Sequence, residues 1–159
     1  MAADKTNVMR ILDQKKIPYT AHTYPCGDTP PDGVTVARLT GLDPDTVFKT
    51  LVTAGASKKN YVFVIPVARE LDLKAAAKAV GEKSIAMIRQ SELLPLTGYI
   101  HGGCSPVGMK KAFPTVIHIS AQSLEAMTVS AGKVGYQVRL APGELAGLVR
   151  AKFASVTTE

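Results

Sequence analysis

Thr97-Gly98-Tyr99-Ile100-His101-Gly102-Gly103-Cys104-Ser105-Pro106-Val107-Gly108-Met109-Lys110-Lys111 runs from a short apolar approach, through a turn of small residues, to a basic pair. Glycine carries no Cβ, so a Gly102-Gly103 pair can take positive φ and let a ligand approach the main chain. Their amides, with the Ser105 hydroxyl, form a candidate grip for an oxyanion or a phosphate. A plain tight turn between two elements has the same composition. The loop therefore takes its meaning from the segments around it.

Upstream, residues 61–67 are almost continuously apolar, which predicts a central strand covered on both faces. Residues 47–53 predict the strand before it, with Lys49, Leu51 and Thr53 on one face and Phe48, Thr50 and Val52 on the other. Lys49 in such surroundings is a candidate pocket wall, or a lysine snorkelling from a strand end. Asp72 caps a helix over 73–80 that Gly81 closes. A short strand at 85–88 and a helical turn at 90–94 lead into the central loop.

Nearer the start, residues 6–15 have apolar positions at helical spacing, and Pro18 stops that helix. Residues 19–24 alternate as a strand, 25–33 form a Pro-, Gly- and Asp-rich loop, and 34–39 a short helix ending near Gly41. Downstream, residues 115–119 predict a strand and Ser120 the cap of a short helix through Ala126. Residues 128–135 run as a strand into a second glycine-rich turn. Residues 136–140 alternate as a strand, and 142–153 close the chain as a helix. The irregular spacing predicts a mixed α/β fold, with a mixed sheet curling into a barrel-like core and helices outside. Residues 1–159 form one domain on this reading.

Composition narrows the functional classes. The formal charge of +6 favours an anionic partner, nucleic acid or a phosphorylated small molecule. With no Trp and 6% aromatic residues, a base-stacking platform is disfavoured. Two cysteines, no signal-peptide core and no membrane-length apolar run make the cytoplasm the default.

His22 with Cys26, and His101 with Cys104, have spacings a metal could use, but neither resembles a paired knuckle, so no metal is expected. Cys104 as a nucleophile would need a thiolate-stabilising partner such as His101 or Lys110. No G-x-S-x-G elbow or Walker loop occurs. What remains is Lys49, the Gly102-Gly103 loop with Ser105, and Ser130 before Gly132-Lys133. A ligand with both a carbonyl and a phosphate would suit that set.

Four ordered segments then carry a resemblance across nearly the whole chain. They are Val47-Phe48-Lys49-Thr50-Leu51, Pro66-Val67-Ala68 with Leu71-Asp72-Leu73-Lys74, the central loop, and Val129-Ser130-Ala131-Gly132-Lys133. Together they resemble the YbaK/EbsC family of free-standing aminoacyl-tRNA deacylases, related to the editing domain of bacterial prolyl-tRNA synthetase. The resemblance implies a mixed α/β fold and removal of cysteine from mischarged Cys-tRNA(Pro), with Cys-tRNA(Cys) as a further substrate. It implies an essential Lys49, a loop Gly102 near the substrate carbonyl, and Ser130 and Tyr24 in the pocket. The substrate thiol would be the nucleophile, so no cofactor is expected. The expected partners are the acceptor end of an aminoacyl-tRNA and prolyl-tRNA synthetase, not DNA or a membrane. A water-using Ala-tRNA(Pro) deacylase and a non-catalytic tRNA- or nucleotide-binding module are the alternatives. Two departures bear on substrate choice. An aromatic residue is expected where residues 30–33 stand, and an acidic one where Gln137 stands.

Overall fold

A computed structural model describes residues 5–27 and 29–158. Its first helix, α1 (Asn7–Gln14), is capped by Thr6, whose Oγ1 accepts from the Met9 amide, and it buries Val8, Met9 and Leu12. Strand β1 (Thr20–Thr23) follows the Pro18 break. Helix α2 (Gly33–Thr40) starts at an Asp32 cap and ends at Gly41, whose φ of 74° is the left-handed turn that stops a helix.

Strands β2 (Phe48–Gly55) and β3 (Asn60–Pro66) form an antiparallel hairpin. Helix α3 (Leu73–Val80), the short strand β4 (Ile85–Met87) and helix α4 (Gln90–Thr97) precede the central loop. Strands β5 (Thr115–His118), β6 (Met127–Ser130) and β7 (Tyr136–Leu140) follow, then helix α5 (Pro142–Val149) and strand β8 (Lys152–Ala154).

The mixed α/β expectation is met, but the sheet does not close. The strands form two open sheets, β1-β7-β6 and β4-β2-β3-β5-β8. Among the described residues one parallel bridge, Val47 to Thr128, links them. β3 occupies one edge of β2 along its length, and β4 holds the other edge only from Thr53 to Gly55. β6 therefore meets β2 at the edge β4 leaves free, then turns away at Ser130 before a second sheet ladder can form.

The main core lies between the two sheets. Phe48, Val52, Val62, Val64 and Ile117 meet Met127, Val129, Val138 and Leu140 there, with α1 and α5 packed against them. On the far face of the larger sheet, Tyr61, Phe63, Ile65 and Val116 pack on Ala76 and Ala77 of α3. Every residue of 61–67 is buried, as a strand covered on both faces requires.

Three expected elements differ. Residues 119–123 make a 3-10 turn rather than a helix through Ala126, and the Ser120 hydroxyl is buried without a partner instead of capping. The last helix stops at Val149 because Arg150 takes a left-handed φ of 56°. Residues 152–154 then become β8, in parallel with β5, gaining ladder bonds that a continued helix would forgo. α4 runs past Pro95 to Thr97, where Gly98 ends it with a left-handed φ of 84°.

The α3 cap gives a stability test. Asp72 accepts from the amides of Lys74 and Ala75, both at 3.1 Å. Asp72→Ala should destabilise the protein by about 1 kcal/mol, read as a lower midpoint in urea with unchanged slope.

Candidate active site

The register of the small sheet sets three polar side chains in a row. His22 pairs with Gln137, and Gln137 with Ser130. Val129, Val138 and Ala131 point into the main core, so by strand alternation this row lies on the opposite face. The isolated Val47–Thr128 bridge ties the residue before β2 to β6. Lys49 and Ser130 each follow that bridge by two residues, and Lys49 points away from the core that Phe48 enters. The row of the small sheet reads His22, Gln137, Ser130.

Three loops gather at this end. Ile100 accepts from the Gly103 amide at 3.0 Å, closing a turn whose third residue, Gly102, has φ of 87°. That positive φ fits a type II turn and favours glycine. A Cβ on Gly102 would lie 2.6 Å from Pro30 Cβ, and one on Gly103 would lie 3.0 Å from the Val134 amide. Loop 25–33 and the 130–135 turn therefore both press on the central loop. Tyr24 donates its amide to the Gly135 carbonyl at 2.9 Å, tying the start of loop 25–33 to the same turn. Gly33 packs on Val67, holding its other end.

The electrostatics leave a cation without a protein nucleophile. Among the described residues Lys49 makes no ion pair, and the ion pair formed there joins Lys5 to Asp13. Burial pushes the Cys104 thiol up to about 12, so it stays protonated at neutral pH and is a poor nucleophile. His118 is buried in β5, where its Nδ1 accepts from the Val156 amide at 3.1 Å and Nε2 lies 3.3 Å from Thr157 Oγ1. Burial, and then the Arg69 charge, lower its pKa, so it is a neutral tether for the C-terminal segment. Among the described residues no three His, Cys, Asp or Glu side chains gather to hold a metal.

A lysine, a hydroxyl and a glycine turn beside a partly buried polar row make a positioning site without a triad. Against sequence profiles of known families, residues 31–148 match the aminoacyl-tRNA editing domain. The chain belongs to the aminoacyl-tRNA editing domain family. An Enterococcus faecalis relative, EbsC, named provisionally as a Cys-tRNA(Pro)/Cys-tRNA(Cys) deacylase, is 44% identical over 98% of this chain and 94% of its own. A Shouchella clausii proline–tRNA ligase is 29% identical over 67% of this chain, which spans only 19% of that enzyme. Among solved structures, one described as a proposed trans-editing enzyme for prolyl-tRNA synthetase superposes with a TM-score of 0.82. It has 21% identity and covers 99% of this chain and 100% of its own, which fixes the fold.

Within this editing domain, the residues singled out in the sequence divide into two groups. The three loops set Gly102 against Pro30 and Val134 and tie Tyr24 to Gly135 in the turn that follows Ser130, while the Val47–Thr128 bridge joins β6 to the start of the strand that carries Lys49. The Ser130 Oγ accepts from the Gly132 amide at 3.1 Å, which leaves its own hydrogen free, so Gly132 shapes the turn. Among the described residues the Gly102 amide has no backbone acceptor.

Ser105 and Gly103 have other duties. Ser105 is 0% exposed and its Oγ accepts from the Val107 amide at 3.2 Å, so it stiffens the loop instead of gripping a ligand. The Gly103 amide is committed to Ile100, which leaves Gly102 as the donor of the pair. The sequence weighed His22 only as a metal ligand and Gln137 only as a departure from a pattern. Their partnership comes from pairing strands more than a hundred residues apart, which one sequence does not reveal. No helix among the described residues is long and apolar enough to cross a membrane.

Proposed function

We propose that this chain is a trans-editing deacylase that removes cysteine from Cys-tRNA(Pro) in the cytoplasm. The observation that carries the reading is a site with a cation, a hydroxyl and a free turn amide but no nucleophile of its own. It is supported by the 44% identity to EbsC over nearly the full length of both chains.

The chemistry such a site can assist is intramolecular. The substrate's cysteine sulfur attacks its own ester carbonyl carbon, forming a C–S bond and an oxyanion. Collapse breaks the bond to the ribose oxygen, which takes up the proton lost by the thiol. The products are uncharged tRNA and a cyclic thiolactone that water can open.

The protein's work is then orientation and charge stabilisation. The Gly102 amide faces the developing oxyanion. Lys49 holds the terminal phosphate or the nearby ester oxygens, and Ser130 and Tyr24 bound the side-chain pocket. The chain's charge of +6 suits an acceptor stem. The proline–tRNA ligase match makes a prolyl-tRNA synthetase the expected companion.

Deacylation of Cys-tRNA(Pro) and Ala-tRNA(Pro), measured side by side under single turnover, tests this. Loss of the cysteinyl ester alone is expected. Loss of the alanyl ester alone would require an attacking water. If neither is hydrolysed while tRNA is still bound, the protein is a binding module.

A further inference from the structure

A cavity of about 250 Å³ opens between the exit of the central loop and the end of α5, and none of the site residues described above lines it. Lys111 and Arg150 line it, together with Met109, Phe113 and Leu148. None of the described residues around it is acidic. Both cations are exposed, whereas Met109, Phe113 and Leu148 are half-buried against the main core. The volume lies below the roughly 300–1,000 Å³ of pockets for drug-sized ligands, and suits a phosphate with its attached sugar.

Arg150 holds its place at a backbone cost. Helices α2, α3 and α4 end on Gly41, Gly81 and Gly98, each in the left-handed conformation that glycine takes freely. α5 ends on Arg150 in that conformation, with φ of 56° and ψ of 42°, which disfavours any residue with a Cβ. Lys16 and Lys58 also have positive φ, but they do not line this cavity. A cation beside the carbonyl end of a helix complements its dipole. That accounts for Arg150 alone, and not for Lys111, which lines the same cavity from a different segment.

We propose that this cavity is a phosphate subsite, and that with substrate bound it holds a backbone phosphate of the tRNA acceptor stem. The assignment to tRNA rests on the deacylase reading. The Arg150 guanidinium offers a phosphate two parallel N–H donors, and Lys111 adds a second positive charge. Met109, Phe113 and Leu148 give the attached sugar an apolar wall. One loop carries both Gly102, assigned above to the ester, and Lys111, assigned here to a phosphate set back from it. Such a contact binds the tRNA equally well whatever amino acid it carries, before and after the ester is broken.

Binding of uncharged tRNA(Pro) at several salt concentrations, measured beside the melting temperature, tests this. Arg150→Gly should weaken binding about tenfold, the scale of a hydrogen bond to a charged group. The same variant should melt higher, because glycine relieves the left-handed strain. A merely structural arginine predicts the reverse, a lower melting temperature with binding intact. Lys111→Ala should weaken binding similarly, and each variant should reduce the slope of log K against log salt by about 1. Lys78→Ala removes an exposed charge on α3 outside the cavity and should leave affinity nearly unchanged. Wild-type affinity and slope in both cavity variants overturn the acceptor-stem assignment. An equal loss in Lys78→Ala overturns it too, since overall charge then explains the binding. Titration with adenosine monophosphate and with inorganic phosphate, followed by amide NMR shifts, separates the sources. Shifts at Lys111 and Arg150 that vanish in the variants, with tRNA affinity unaffected, would replace the acceptor stem with a free nucleotide or phosphate. A wild-type protein that binds no tRNA sinks the deacylase reading itself, whereas normal tRNA binding with unaffected cavity variants sinks this inference alone.

Discussion

Lys49→Ala should slow single-turnover deacylation of Cys-tRNA(Pro) by about 100- to 1,000-fold, the loss typical of removing one preorganised charge-stabilising group. Lys49 follows the Val47–Thr128 bridge by two residues and makes no ion pair among the described residues. Its charge is therefore free for substrate phosphate or ester oxygens. Because Lys49 is only partly buried, removing it opens no core cavity, and thermal stability should change little. Lys49→Arg keeps the charge but changes its shape and reach, so an intermediate rate is expected. A near-wild-type rate in Lys49→Ala, with the fold intact, would remove Lys49 from the mechanism.

Gly102→Ala should lose about 100-fold in the same assay, the scale on which an ångström of misplacement near the chemistry is felt. Two costs combine. The left-handed φ of 87° disfavours any residue with a Cβ by roughly 1–2 kcal/mol. The new carbon would also sit 2.6 Å from Pro30 Cβ, so loop 25–33 or the turn must shift. Gly41 separates these costs, since its φ is 74° but a Cβ there meets nothing within 4 Å. Gly41→Ala should therefore lower the melting temperature and leave turnover intact. If both variants deacylate equally well, the Gly102 turn plays no part in catalysis.

Much of the fold was legible because local chemistry wrote it. Asp72 and Gly81 mark the ends of α3, Gly41 the end of α2, and the run 61–67 the most buried strand. The expectations that failed turned on tertiary competition. Residues 152–154 leave the final helix because β5 has an open edge, and Ser120 cannot cap where its hydroxyl is buried. For the site, residue type identified Lys49, Gly102 and Ser130 as unusual. It did not reveal that Ser105 is sealed inside the loop or that His22 reaches Gln137. Those facts depend on which strands become neighbours, and so does the division of the expected barrel-like sheet into two open sheets.

The pairing of β1 with β7 also bears on biosynthesis. Thr20–Thr23 find their partners only at Tyr136–Leu140, so a growing polypeptide that has completed the β2–β3 hairpin already carries Lys49 but has no floor beneath it. Closing so distant a pair is slow compared with hairpin formation. While the ribosome is still adding residues, the early strand waits with its edge unpaired, a state prone to wrong association. Deacylation competence should therefore emerge late in synthesis, after the seventh strand has left the exit tunnel, and not in step with the first half of the chain.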